Sequence, residues 1–154
     1  MVSDHVKADS FTLFVQSTER PLRQALTAAI GPELAREAAA EALAYGWEHW
    51  DRVGNLENPA GYLYRVGRNA ARRMNRSEVR LAPVAGRTEI WVEPGLPSAL
   101  RRLSEKQRVA VSLVHGYGWT LSEAAGLLGV SKGTVQSYVE RGLRRLRNDL
   151  GVET

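Results

Sequence analysis

No cysteine occurs among the 154 residues of the chain, which excludes disulfide staples and thiolate metal sites. Histidine is almost as scarce. His5, His49 and His115 stand far apart, with no pair at the spacing that puts two imidazoles on one helix face. A phosphate-cradling glycine-rich loop and a nucleophile elbow are missing as well. These absences leave no candidate catalytic residue, metal ligand or cofactor site, and the expectation is a protein that is not an enzyme. No run approaches the roughly 20 apolar residues that a membrane helix needs. The first ten residues mix Asp4, His5, Lys7 and Asp9 and lack the apolar core of a secretory signal. The expectation is therefore no membrane contact and a cytoplasmic location.

What is there suits a packed domain. Hydrophobic residues make up 44% of the chain and charged ones 25%, ordinary values that argue against wholesale disorder. The net charge of +4 is informative because it is unevenly spread. Between Glu33 and Glu57 acidic residues dominate (Glu33, Glu37, Glu41, Glu48, Asp51, Glu57). Between Gly61 and Arg80 the arginines take over: Arg65, Arg68, Arg72, Arg73, Arg76 and Arg80 against Glu78. A second basic block holds Lys132, Arg141, Arg144, Arg145 and Arg147. Two separate basic blocks suggest two contacts with a polyanion, although each alone reads equally well as a solvated helix face. Glu33, Glu37 and Glu41 repeat at helical spacing without a facing set of ligands, which points to an acidic surface rather than a metal site.

The pattern predicts an all-α fold. Phe11, Phe14 and Val15, then Leu22, Leu26 and Ile30, recur at spacings of three and four, so helix is expected from residue 11 to about 76. Gly31-Pro32 interrupts it, with Pro32 suited to the first turn of the next helix. Asn58-Pro59 is a further start, Asn58 as N-cap and Pro59 at the first helical position. After it Tyr62, Leu63, Val66 and Ala70 share a stripe and the arginines take the other side. From Ser77 to Pro97 the period fails among Pro83, Gly86, Pro94, Gly95 and Pro97. The expected organisation is two small helical domains, 1–76 and 97–154, joined by a linker over 77–96 on which Trp91 packs back onto one of them. About twenty extended residues reach at most roughly 66–72 Å, about two turns of B-DNA at ~34 Å each.

Beyond the linker, Leu100, Leu103, Ala110, Val111 and Val114 mark a first helical piece that ends at Gly116 and Gly118. Thr120 to Gly129 then reads as a short helix with Leu121, Ala124, Ala125 and Leu128 on one face. Gly129 supplies a left-handed C-cap, Val130 plugs the core and Ser131 caps a new helix. That helix buries Val135, Val139, Gly142, Leu143, Leu146 and Leu150, and it exposes Lys132, Thr134, Gln136, Ser137 and Arg141. Short polar groups and cations from the first half of a second helix are what reading a major groove requires. The double-stranded partner is therefore expected to be DNA.

Four stretches also resemble region 4 of bacterial sigma-70-type factors: Leu96-Pro97…Leu103-Ser104-Glu105-Lys106-Gln107-Arg108, Gly118-Trp119-Thr120-Leu121-Ser122-Glu123-Ala124-Ala125, Gly129 to Val135, and Arg141-Gly142-Leu143-Arg144-Arg145-Leu146-Arg147. The chain is most similar to the extracytoplasmic-function (ECF) group, which has only regions 2 and 4. The resemblance implies that Ser131, Lys132, Thr134, Gln136, Ser137, Arg141, Arg144 and Arg145 meet a −35 promoter element. Asn58 to Arg73 resembles the region 2 helix that recognises and opens the −10 element, which implies that role for Tyr62, Arg65, Arg68, Asn69, Arg72, Arg73 and Arg76. An aromatic there would stack on an unpaired base, but for one of Tyr62 and Tyr64 packing in the helix core is at least as good a reading.

The preceding helix departs from the family. Its Asp-x-x-Gln-x-x-Phe pattern, which docks on core polymerase, appears here as Glu37, Ala40 and Leu43, with Glu41 and Trp47 beside them. The implied partners are promoter DNA, bacterial core RNA polymerase and an anti-sigma protein. Two other functions stay open on the residues: a standalone regulator of the LuxR type, and a sigma-like adaptor that does not initiate transcription.

Overall fold

The computed structural model describes residues 4–77 and 95–151, so Trp91, Arg80 and nearly all of the expected linker lie outside the described residues. What is described is helical, without a strand among the described residues. The first half comprises α1 (Asp4–Ile30), α2 (Pro32–Glu48), the single turn α3 (Trp50–Val53) and α4 (Pro59–Ser77). The second comprises α5 (Leu96–Arg102), α6 (Glu105–Val111), a π-helical turn (Ser112–Gly116), α7 (Leu121–Leu128) and α8 (Lys132–Leu150).

Helix α1 begins earlier than its apolar face suggests, at Asp4 instead of Phe11. Two contacts hold the extra turns: Lys7 lies 4.8 Å above the Trp47 ring, and Ser10 Oγ accepts the indole N–H of Trp50 at 3.2 Å. Phe11 and Phe14 close on Trp50 at 5.2 and 5.0 Å between ring centres. This aromatic corner fixes α1 against α2 and α3. Elsewhere the helices meet through alanines: Ala25, Ala28 and Ala29 of α1, Ala35, Ala38, Ala39 and Ala42 of α2, and Ala70 and Ala71 of α4 are all buried. Small side chains let the backbones approach closely, and the larger plugs Leu22, Leu26 and Leu63 are fully enclosed between them.

The expected single helix before Gly116 is in fact two. Leu103 is extended, and Ser104 opens α6 with a capping box: its Oγ accepts the Gln107 N–H at 3.1 Å while Gln107 Oε1 accepts the Ser104 N–H at 3.4 Å. The local hydrogen bonds available to a serine followed three residues later by glutamine outweigh continuation of the apolar stripe. A small core of Ala99, Leu103, Val111 and Leu146 then binds α5 to α6 and α8.

The two halves are packed together. Val109, Ala110, Leu113, Ala124, Ala125, Leu127, Val135 and Val139 of the second half belong to one continuous core with Leu22, Leu26, Ala38 and Leu63 of the first. Helix α6 and the π-helical turn rest on α1, and α7 rests on α4.

Candidate nucleic-acid interface

Helices α7 and α8 form the expected helix-turn-helix. Thr120 caps α7 with a second capping box, its Oγ1 accepting from the Glu123 N–H at 3.0 Å and its own N–H donating to Glu123 Oε1 at 2.9 Å. Gly129 ends α7 at φ 72°, a left-handed conformation that costs a side-chain-bearing residue roughly 1–2 kcal/mol. Ser131 restarts the chain as the N-cap of α8, its Oγ accepting from the Thr134 N–H at 3.1 Å. Within α7 the fully seated leucine is Leu127, and Leu128, expected on the buried face, is only half-buried.

On α8, Val135, Val139, Gly142 and Leu146 are buried, and Leu143 and Leu150 are half-buried. Ser131, Lys132, Gln136, Arg141, Arg144 and Arg145 are exposed along the outer arc, as expected. Thr134 and Ser137, expected to be exposed, are half-buried. The Thr134 hydroxyl turns to Ser131 Oγ at 2.9 Å, so it supports the cap. Gln136 Nε2 donates to Glu140 Oε2 at 3.3 Å; one amide hydrogen is engaged there, leaving the carbonyl oxygen and the other hydrogen to solvent. Glu140 lies one turn further along α8, at the i, i+4 spacing that brings such side chains together.

Helix α4 starts as predicted, with Asn58 Oδ1 accepting the Gly61 N–H at 3.1 Å. Its two tyrosines part company. Tyr64 is core, 3% exposed, and burial pushes its phenol above the ordinary range. Tyr62 is half-buried, with its hydroxyl 3.4 Å from Tyr45 Oη and 3.5 Å from Arg52 Nη1. Hydrogen bonds from Tyr45 and then Arg52 hold the Tyr62 phenol below its ordinary value. The Arg52 guanidinium also stands 5.7 Å from the Tyr62 ring centre. Tyr45 and Arg52 lie outside the α4 motif, and nothing in its spacing pointed to them.

The arginines of α4 are dispersed. Arg65 is exposed, and Arg73 reaches back to Glu41 of α2 at 3.6 Å. Arg72 donates to Asn69 Oδ1 at 3.2 Å and pairs with Glu105 at 3.5 Å. Arg68 pairs with the same carboxylate at 3.7 Å and stands 5.4 Å from the centre of the Tyr64 ring. Arg76 falls in the last turn of α4, and its side chain lies outside the described residues.

On α2, Glu37, Ala40 and Glu41 are exposed on one face. Leu43 does not join them, being half-buried against the core. Trp47 is 40% exposed, with its other face against Phe11 at 5.4 Å. Among the described residues no cluster of acidic or histidine side chains could hold a metal, and no helix is long and apolar enough to cross a membrane. His49 is held by stacking on Tyr45 and by contact with the Tyr45 carbonyl at 3.0 Å.

Comparison with known proteins bears on this arrangement. Residues 95–146 match the family model described as Sigma-70, region 4. The chain is similar to the RNA polymerase sigma-E factor of Streptomyces coelicolor, 31% identical over 139 residues that cover 84% of this chain and 78% of that one. It is also similar to the ECF RNA polymerase sigma factor SigL of Mycobacterium tuberculosis, 29% identical over 137 residues and 77% of each chain. Among solved structures, the sigma factor RpoE from Bartonella quintana, co-crystallised with the anti-sigma factor NepR, is similar with a TM-score of 0.62 and 25% identity, over 94% of this chain and 98% of that one.

Proposed function

The chain belongs to the ECF sigma factors of the sigma-70 family, and on that premise we propose that it binds core RNA polymerase and directs it to promoters, α8 reading the −35 element and α4 the −10 element. The observation that carries the reading is the α7–α8 unit. Both of its helices are capped, its turn glycine is left-handed, and its outer arc of Ser131, Lys132, Gln136, Arg141, Arg144 and Arg145 is open to solvent. In this reading residues 1–76 act as region 2, 77–96 as linker and 97–154 as region 4. Gln136 and its neighbours read base edges, and Arg144 and Arg145 neutralise phosphates. On α4, Tyr62, Arg65, Arg68, Asn69, Arg72, Arg73 and Arg76 meet the opened strand.

Polymerase docks on the outer face of α2 through Glu37, Ala40 and Glu41, with Trp47 and Leu43 at its edge. An anti-sigma protein is the remaining class of partner, as NepR is for RpoE of B. quintana. Polymerase performs the chemistry, and the factor supplies position.

Co-elution with bacterial core polymerase against an established sigma factor tests the proposal. Competitive binding is expected, and absence of binding at micromolar concentration refutes it. One observation favours a second reading, an adaptor that binds without initiating: Ala40 places a methyl where the family has glutamine. Run-off transcription from a mapped promoter separates the two, because an adaptor yields no transcript.

A further inference from the structure

Two sets of polar ties brace the packed helices. At the seam between the halves, Arg108 of α6 donates through Nε to Ala28 O at 3.2 Å and through Nη2 to Ala29 O at 2.8 Å, clasping the C-terminal end of α1. The other set lies wholly within the first half and converges on one aromatic ring of α4. Arg52 of α3 donates through Nη2 to Tyr45 Oη at 2.7 Å and through Nη1 to Tyr62 Oη at 3.5 Å. The two hydroxyl oxygens stand 3.4 Å apart, so one guanidinium and two phenols from three helices close a triangle.

The partners are telling. Arg52 lies in the acidic stretch among Glu48, Asp51 and Glu57, and yet its fork turns to two phenols. Tyr45 is braced in turn: the His49 ring stacks on it with centres 4.0 Å apart, and His49 Nδ1 lies 3.0 Å from the Tyr45 carbonyl oxygen. Fixed on its face by His49 and at its hydroxyl by Arg52, Tyr45 forms an abutment for Tyr62.

Tyr62 is held at its other end as well. Its backbone N–H donates to Asn58 O at 3.0 Å, inside the first turn that the Asn58 side chain caps. With the backbone set by the cap and the hydroxyl set by the abutment, both side-chain torsions of Tyr62 are constrained. The ring between these two ends is half-buried and keeps part of its surface open to solvent. Tyr64, buried in the core, has no such surface.

A base stacks on a ring only where the two planes can lie parallel, and a ring already held in that orientation loses less freedom on binding. Water competes for each donor of a tie this exposed, so the tie adds little to the fold itself. Its effect falls on the orientation of the ring.

We propose that Arg52 and Tyr45 are positioning residues for promoter opening, holding the Tyr62 ring pre-set to stack on an unpaired base of the −10 strand. The inference rests on the promoter reading above. All three residues belong to the first half, so the tie serves the opened strand and leaves duplex recognition by α8 untouched.

The test is a titration of fork-junction DNA, built on the mapped promoter with 2-aminopurine at its unpaired positions, with the full chain bound to core polymerase. Stacking on an aromatic ring quenches the probe, so the amplitude reports the ring and the midpoint the affinity. Arg52→Met, Tyr45→Phe and Tyr62→Phe each remove one partner and keep most of the side chain. Each is expected to lessen the quench and to weaken fork binding by about two- to fivefold, while affinity for the fully paired promoter holds. The double variant Arg52→Met with Tyr62→Phe should be no weaker than either single one, because both break the same contact. Arg52→Lys keeps the charge without the fork between two oxygens and should recover less than half of the loss. In the free chain, hydrogen bonds from Tyr45 and then Arg52 lower the Tyr62 ionisation. An ultraviolet titration of each protein against its Tyr62→Phe counterpart should therefore show that ionisation raised in Arg52→Met and in Tyr45→Phe.

Unchanged quench and fork affinity in Arg52→Met, or an unmoved Tyr62 ionisation, overturns the proposal. So does an additive loss in the double variant or full recovery by lysine, either of which would make Arg52 a charge on the strand. A Tyr62→Ala variant keeps the two readings apart. If it binds the fork like wild type, the −10 role of α4 falls and the proposal with it; if it binds weakly while Arg52→Met is inert, only the positioning role falls.

Discussion

Replacing Arg108 by methionine should lower the stability of the folded chain by about 2–3 kcal/mol. Methionine keeps an apolar stem of similar length, so the loss isolates the guanidinium. That group donates to three carbonyls, Ala29 at 2.8 Å, Ala28 at 3.2 Å and Leu103 at 3.4 Å. A hydrogen bond from a charged group contributes about 1.5–3 kcal/mol when well made. Only the shortest approaches that, and since Arg108 is half-buried, part of the freed surface rehydrates. Helix α1 has no basic residue in its own last turn, so a favourable term of about 0.3–1 kcal/mol with the helix dipole goes too. For a chain of this length 1 kcal/mol corresponds to about 2–4 °C, giving a fall in midpoint of about 4–12 °C in a thermal melt followed by circular dichroism. Arg108→Lys, a single point charge that cannot fork between two carbonyls, should recover about half of it. A loss below about 0.5 kcal/mol for Arg108→Met would refute the claim that this side chain carries the seam.

Three further outcomes follow from the site. Gln136→Ala should relax base preference at one or two positions of the duplex, whereas Arg144→Ala should weaken binding to all duplexes alike and reduce the slope of log affinity against log salt by about 1; titrations over a range of salt distinguish them. Ala40 is exposed on the outer face of α2, so Ala40→Gln fits without repacking and should tighten core polymerase binding by about two- to tenfold in a competition assay. The Tyr64 phenol is raised by burial, so its contribution to stability is fully present below the ordinary tyrosine value and is lost as pH rises through the folded one. Tyr64→Phe should therefore flatten the alkaline decline in denaturation midpoints, and an ultraviolet titration should lose one tyrosine that ionises above the ordinary value.

Local chemistry made much of this architecture legible. Gly31-Pro32, Asn58-Pro59 and Gly129…Ser131 are punctuation whose effect depends on a few neighbouring atoms, and each break stands where its residues put it. The outward arc of α8 was equally accessible, because helical period alone separates Gln136 and Arg141 from Val135 and Val139. What escaped depended on partners distant in sequence. Nothing near α4 announced that Arg68 and Arg72 would meet Glu105, or that Tyr62 would be tied to Tyr45 and Arg52. The division at Leu103 was missed for a different reason. Ser104 and Gln107 have the spacing of a capping box, but an apolar series running through them masked it. Thr120 and Glu123 repeat that spacing in plainer surroundings.

The clasp at the end of α1 also orders events in time. The carbonyls of Ala28 and Ala29 find their donor in a residue 80 and 79 positions further along the chain. At a synthesis rate of about 5–20 residues per second, roughly 4–16 s separate the emergence of α1 from that of Arg108. During that interval the nascent first half has its alanine-lined core but an unfinished helix end, whose carbonyls bond to water. The last step in maturing the N-terminal half thus waits on translation of the C-terminal half. Ribosome-bound chains halted before and after Arg108 should differ in how readily a protease cuts near Ile30.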